Sequence, residues 1–252
     1  AVTFLPEVNG FFATKYAAHA ILSRVYLMQQ DYAKALLNAN AVIASGEFDL
    51  VGSVADAFNK TSTGSGDRES NANATLEDVF SIQVTAQDGV NNMNTFFASA
   101  DFGGRGDILV EPFHFSLYED GDARRDLFYD DTYTSKWNNL AGNVNVVRLA
   151  EMYLTRAESN FRLGTTVGAS PLEDINVIRE RAELLPVASI SIDDILAERR
   201  LELAFEGHLI HDLKRTERSI GDLPFDHPNL IFPIPQREIL INPELEQNEA
   251  YQ

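Results

Sequence analysis

Residues 146–164 read VVRLAEMYLTRAESNFRLG, a stretch whose apolar side chains recur every three to four residues. That spacing places them on one face of an amphipathic helix, which must bury this face against another element. Ser191 with Asp194 marks one helix start, and Ser170 with Glu173 has the pattern of a capping box. In this motif a serine and an acid three residues later satisfy free backbone N–H groups at a helix start. Residues 144–252 are therefore predicted to contain several helices that pack on one another.

A helix pair is also predicted near the start of the chain. Thr14–Gln29 carries a one-sided apolar stripe, Asp31 is a capping residue for a second helix, and Gly46 ends that helix. Two antiparallel helices joined by a short turn, with alanines where they cross, are typical of a tetratricopeptide-like pair. We predict a helical scaffold built from residues 1–50 and 144–252.

Residues 51–143 have a different character. They open with a polar stretch at 59–75, NKTSTGSGDRESNANAT, which predicts a mobile loop. Short strand-like runs occur at Val79–Val84 and Lys136–Trp137. This region is predicted to be a long, irregular, loop-rich insertion, and sequence-variable loops of this kind often carry binding residues.

The end of the chain, residues 231–252, contains three prolines and cannot form a long helix. It is predicted to be an extended strap laid over the helices. The whole chain, 1–252, is thus predicted to be a single, mainly α domain with tetratricopeptide-like helix pairs, a loop-rich insertion and a C-terminal strap.

Composition excludes several classes of function. The chain has 38 acidic and 20 basic residues, giving a net charge of −18. This balance argues against binding nucleic acid or anionic lipid, since both are held by lysine and arginine. The sequence has no cysteine, which excludes disulfides, zinc–thiolate sites and thiol catalysis.

Three glutamates, Glu198, Glu202 and Glu206, recur every four residues and could share one helix face. A pair of carboxylates can perform glycoside hydrolysis when the two flank a sugar bond. These glutamates stand among arginines, however, with Arg148 on another predicted helix. We expect interhelical ion pairs with a structural role and predict no catalytic residue.

Possible metal ligands are incomplete as motifs. His208 and His211, followed by Asp212, superficially resemble a metal cluster, and two histidines three residues apart can share one ion. A catalytic metal also needs a third protein ligand, and the sequence has no HExxH motif or second cluster that would offer one. The acidic turns Glu119–Asp122 and Asp130–Asp131 lack the twelve-residue calcium loop. No metal and no cofactor are predicted.

Four blocks in succession resemble the C-terminal region of the SusD/RagB family. The first is the stretch quoted above, and the others are INVIRERAEL at 175–184, ERRLELAFEGHLIHDLKR at 198–215 and IFPIPQREILINPELEQNEAY at 231–251. Members of this family are glycan- and nutrient-binding lipoproteins on the outer membrane of Gram-negative bacteria. They pass their ligand to a SusC-like, TonB-dependent barrel transporter.

The resemblance implies non-catalytic capture of a nutrient, an oligosaccharide, at the cell surface for import by a SusC-like transporter. It also implies attachment through a lipidated cysteine, which this chain does not contain, so we expect the chain to be the C-terminal part of a longer protein. Two alternatives stay open: a helical-repeat scaffold for protein–protein interaction without a small-molecule site, and a glycoside hydrolase.

The candidate ligand site lies in the loop-rich insertion. Aromatic faces beside amide, guanidinium and carboxylate groups suit the apolar faces and hydroxyls of a sugar. The residues that combine these groups are Asn92, Asn94, Phe96, Phe97, Phe102, Arg105 and Asp107. The alternative for the three phenylalanines is ordinary burial in the core.

Overall fold

The computed structural model describes most of the chain. The described residues are 2–9, 12–58, 75–84, 89 and 91–252. The predicted loop at 59–75 lies outside them, apart from Thr75. No helix in the described part is both long and apolar enough to cross a membrane.

The chain divides into two compact units, Ala1–Glu206 and Gly207–Gln252. Helices predominate and the strands are short, which confirms the predicted mainly α fold class. The organisation as a single domain over 1–252 stays a prediction.

The first helix pair consists of α1 (Lys15–Met28) and α2 (Tyr32–Ile43). The side chain of Thr14 accepts a hydrogen bond from the Ala17 N–H, and that of Asp31 accepts one from the Lys34 N–H, so both predicted helix starts are confirmed. The close approach of the helices is allowed by small, fully buried side chains: Ala20, Ala35 and Ala39.

The insertion contains short elements separated by turns. They are β1 (Asp78–Ile82), α3 (Asn92–Phe97), α4 (Pro112–Phe115), β2 (Phe128–Tyr129) and β3 (Tyr133–Thr134). Strands β2 and β3 form an antiparallel hairpin.

Strand β1 pairs antiparallel with β4 (Val144–Arg148), which confirms a strand near the predicted Val79–Val84. The second predicted strand is wrong: Lys136 and Trp137 belong to a 3-10 turn, Ser135–Trp137. The Thr134 side chain caps this turn, and the Trp137 indole N–H donates to the Phe205 carbonyl. Trp137 is therefore packed in the core.

Three helices follow β4: α5 (Leu149–Leu163), α6 (Pro171–Arg181) and α7 (Ile192–Glu202). The predicted capping box at Ser170 is confirmed, and the predicted helix start at Ser191 is confirmed and is also a capping box. The core between the three helices is apolar and includes Ala150, Leu154, Ala157, Ile175, Ile178 and Ile195.

Helix α7 ends at Glu202, earlier than the sequence predicts. Phe205 has φ +63°, a left-handed conformation that breaks the helical path. Glu206 consequently does not continue the helix face of Glu198 and Glu202, although it lies in the same ion-pair network.

The second unit contains α8 (Leu209–Arg215) and α9 (Gln236–Ile241). Much of the remainder has no regular structure, in keeping with its prolines. The Gln247 side chain accepts from the Ile234 N–H and donates to the Ile234 carbonyl, which fixes the course of this segment.

Candidate ligand-binding site

A buried ion-pair network connects the insertion with the helices. The guanidinium of Arg148, which is fully buried, contacts Glu77 at 2.8 Å, Glu202 at 3.0 Å and Glu206 at 2.9 Å. The Lys136 ammonium donates to Glu206 at 2.7 Å and to the Glu202 carbonyl at 3.0 Å. Charges this deeply buried are tolerated because each is paired.

A second group of ion pairs surrounds Arg124. Its guanidinium contacts Asp122 at 2.7 Å and Glu198 at 2.8 Å. Glu198 also accepts from Arg179, which in turn contacts Glu119. The predicted structural ion pairs of Glu198, Glu202 and Glu206 are thus confirmed.

The pKa values of these carboxyls follow from the pairing. Burial alone would raise the pKa of Glu206, but Arg148 and Lys136 outweigh it and lower the pKa to about 2. The pKa of Glu202 is likewise held well below its usual range, because Arg181 and Arg148 outweigh burial. A glycosidase acid requires a raised pKa, so neither glutamate suits that role.

The predicted ligand residues of α3 and the turn after it divide between surface and interior. Phe96 and Phe102 are 40% and 42% exposed. The guanidinium of Arg105 lies 5.0 Å from the Phe96 ring centre and forms an ion pair with Asp107. Four of the seven predicted residues therefore form one exposed group of apolar and charged surface.

Glycines let the chain fold back to build this surface. A side chain at Gly104 would meet the Ala98 carbonyl oxygen at 2.1 Å, so only glycine fits there. The Arg105 N–H donates to the Thr95 carbonyl at 2.8 Å, and this bond holds the turn against α3. The position of Arg105 over Phe96 is thereby fixed by the backbone.

Asn94 and Phe97 occupy different surroundings. Asn94 is fully buried, and its amide donates to the Phe102 and Trp137 carbonyls at 3.2 and 3.0 Å. Phe97 is half-buried and packs edge-on against Phe205. The predicted residues that lie at the surface are Asn92, Phe96, Phe102, Arg105 and Asp107.

Two tyrosines that the sequence analysis missed extend this surface. Tyr129 and Tyr133 stack with ring centres 5.4 Å apart, and Phe102 packs edge-on against Tyr129 at 5.3 Å. A Cβ at Gly106 would meet the Tyr133 ring at 2.7 Å, so the ring lies directly on that glycine. The Tyr–Asp–Asp–Thr–Tyr spacing of a tight hairpin is the sequence feature that could have revealed the pair.

We name this combined surface the aromatic patch. It comprises Phe96, Phe102, Arg105, Asp107, Tyr129 and Tyr133. Its rings are held by packing and backbone hydrogen bonds, including one from the Ser99 N–H to the Tyr129 hydroxyl at 2.9 Å. A flat ligand with apolar faces and polar edges would meet a preformed surface here.

Comparison with known proteins finds similarity to SusD-like proteins over part of the chain. The family model of the SusD family matches residues 123–229. The SusD-like protein P38 of Formosa agariphila is 36% identical over 126 residues, an alignment that covers 43% of this chain and 25% of that protein.

Solved structures share the fold over nearly the whole chain. Surface glycan-binding protein A from Bacteroides uniformis superimposes with a TM-score of 0.77 at 23% identity, covering 98% of this chain and 63% of that one. The protein of the same name from Bacteroides thetaiotaomicron, in complex with laminarihexaose, gives 0.78 at 21% identity, covering 95% and 65%. This chain therefore spans less than two thirds of these two structures and a quarter of the curated relative.

Proposed function

We propose that the chain is a member of the SusD/RagB family and captures an oligosaccharide at the outer-membrane surface. The captured glycan passes unchanged to a SusC-like, TonB-dependent transporter, and a lipid anchor holds the full protein at the membrane. The observation that carries the proposal is the aromatic patch, an exposed set of rings beside a guanidinium and a carboxylate. Relatives described as surface glycan-binding proteins support a glycan as the ligand.

The chemistry of the aromatic patch suits a sugar. The apolar C–H face of a sugar ring packs on an aromatic face. Phe102, which is 42% exposed, presents ring surface to solvent beside the half-buried Tyr129 and Tyr133. Arg105 donates and Asp107 accepts, so together they complement hydroxyls, which do both. Asn92 is also exposed, and its side-chain amide can both donate and accept hydrogen bonds.

Capture without hydrolysis is supported by the ion pairing and the pKa values of the buried glutamates. The glutamates that could resemble a hydrolytic pair are buried in ion pairs with arginines. The lowered pKa values of Glu202 and Glu206 leave no proton on these groups to give to a leaving group near neutral pH. Asp107 is exposed and forms an ion pair with Arg105. Among the described residues, no second carboxylate is hydrogen-bonded to it.

The experiment is a binding screen against immobilised oligosaccharides, followed by titration of the best ligand. Phe102→Ala should weaken binding about fivefold or more, since an aromatic contact contributes roughly 1 kcal/mol beyond simple burial. The control is Phe232→Ala, which removes a phenylalanine that is 88% exposed in the second unit. Equal loss in both variants, or in neither, would contradict the assignment of the site.

A further inference from the structure

Arg200 differs from the other arginines of α7 and its neighbours. Most arginines in the described residues contact a carboxylate, as Arg199 does with Glu151 and Arg179 with Glu198. Arg200 forms no ion pair with any described carboxylate, and its Nε is buried without a hydrogen-bond partner there. Arg200 is partly exposed, so its guanidinium is a cation that a ligand from solvent could pair.

The surroundings of Arg200 are aromatic. Its guanidinium lies 6.0 Å from the ring centre of Phe113, which is 66% exposed on α4. The next residue, His114, packs edge-on against Phe128 and Phe205 and is hydrogen-bonded to Tyr118. An exposed ring beside an unpaired guanidinium is a combination that offers a ligand both an apolar face and a positive charge.

Three basic side chains act on His114 although the protein as a whole is acidic, and of these Arg200 alone has no ion pair with a described carboxylate. Burial lowers the pKa of His114 to about 4, and Arg200, Lys136 and Arg125 add to the effect. Nearby acids are engaged elsewhere: Glu206 pairs with Lys136 and Arg148. Arg125 lies over the Phe115 ring at 4.1 Å, and its partner Asp131 is 80% exposed.

The segment that carries Phe113 is tied to the aromatic patch. The Val110 N–H donates to the Thr132 carbonyl at 2.8 Å, in the turn between Tyr129 and Tyr133. Phe113 follows three residues later in α4. A backbone hydrogen bond thus connects the turn of the β2–β3 hairpin with the segment that leads into α4.

We propose that Arg200 and Phe113 form a subsite for an acidic sugar, whose carboxylate or sulfate binds the guanidinium while its ring packs on Phe113. This subsite rests on the proposed glycan capture and specifies the ligand class as an anionic oligosaccharide. A guanidinium presents a planar fork of N–H donors that matches either anion with two parallel hydrogen bonds. The net negative charge of the protein would otherwise repel such a ligand, so a local cation is required for its recognition.

The test uses three hexasaccharides in calorimetric titrations of the whole chain: neutral laminarihexaose, a carboxylated oligomannuronate and a sulfated carrageenan fragment. We expect at least one acidic probe to bind about tenfold or more tightly than the neutral one. Arg200→Gln should remove this preference, and Arg200→Lys should restore only part of it, because lysine keeps the charge and loses the fork. Arg237→Gln, which removes an exposed arginine of the second unit, should leave the preference intact.

The outcomes separate the two proposals and the two anions. Preference for one acidic probe identifies carboxylate or sulfate as the bound group. Neutral and acidic probes of equal affinity, or a preference that survives in a folded Arg200→Gln variant, overturn the acidic subsite and leave glycan capture standing. Should Arg200→Gln not fold, an unchanged preference in Arg200→Lys overturns the two-bond contact. If none of the three probes binds, the acidic subsite is overturned, and glycan capture is decided by the screen against immobilised oligosaccharides.

Discussion

At the scale of single residues, the fold depends on charges that are buried and mutually compensated. Glu202 is fully buried and contacts both Arg148 and Arg181. Removal of one partner from such a network leaves the other charges without compensation in a poorly solvating interior. The role of Glu202 is therefore to hold helices α6 and α7 and strand β4 together.

Glu202→Gln should lower the free energy of unfolding by about 3 kcal/mol, because Arg148 and Arg181 lose one of the two carboxylates that they share and keep only Glu77 in common. Chemical denaturation monitored by circular dichroism measures the change. Glu244→Gln, at an exposed position, is the control and should stay within about 0.5 kcal/mol of the wild type. A Glu202→Gln variant as stable as this control would mean that the network is not structural.

Asp78 makes stability depend on pH in the opposite sense to Glu206. Burial raises the pKa of Asp78 to about 6, although the Thr75 N–H and hydroxyl favour its charged form. The folded state then holds a proton that the unfolded state releases, so stability falls as pH rises from about 4 to about 6. Glu206, whose pKa is lowered to about 2, stabilises above pH 4.5 and loses this contribution as pH falls toward 2.

Asp78→Asn should remove the Asp78 part of that dependence. The variant should gain stability relative to the wild type as pH rises from 4 to 7, by roughly 2–3 kcal/mol over the interval. Melting temperatures at four pH values measure the difference, with Asp222→Asn as an exposed control. A wild-type-minus-variant difference that is flat with pH would contradict the raised pKa.

At the scale of elements, helix starts were predictable and one helix end was not. Ser170 and Ser191 could be identified because a capping box is a local pattern of three or four residues. The end of α7 depends on Phe205 adopting a left-handed backbone, which local sequence does not require of a phenylalanine. The Trp137 indole N–H donates to the Phe205 carbonyl, 68 residues away in the chain, and no local sequence pattern predicts this contact.

Ser170→Ala should lower the free energy of unfolding by about 1 kcal/mol, since the Glu173 N–H loses its acceptor. Thermal unfolding followed by circular dichroism measures the loss. The matched control is Ser189→Ala, an exposed serine outside the helices. If both variants had the melting temperature of the wild type, the capping role assigned to Ser170 at the start of α6 would be wrong.

At the scale of the whole molecule, the sequence could place the candidate site in the insertion but could not divide its residues correctly between surface and interior. Phe96, Phe102, Arg105 and Asp107 are exposed together, whereas Asn94 lies beneath them and bonds two carbonyls. The difference arises because Asn94 bonds Trp137, 43 residues away, and no spacing rule connects them. Tyr129 and Tyr133 join the patch through the same kind of long-range packing.

Unchanged recovery of a bound oligosaccharide tests the central claim most directly. The chain is screened on an oligosaccharide array, and the best ligand is titrated and then incubated with the protein while new reducing ends are measured. The account predicts saturable binding that Phe102→Ala weakens, with no new reducing ends. Absence of binding to every oligosaccharide on an array that reports a known glycan-binding protein, or cleavage of the bound ligand, would contradict it.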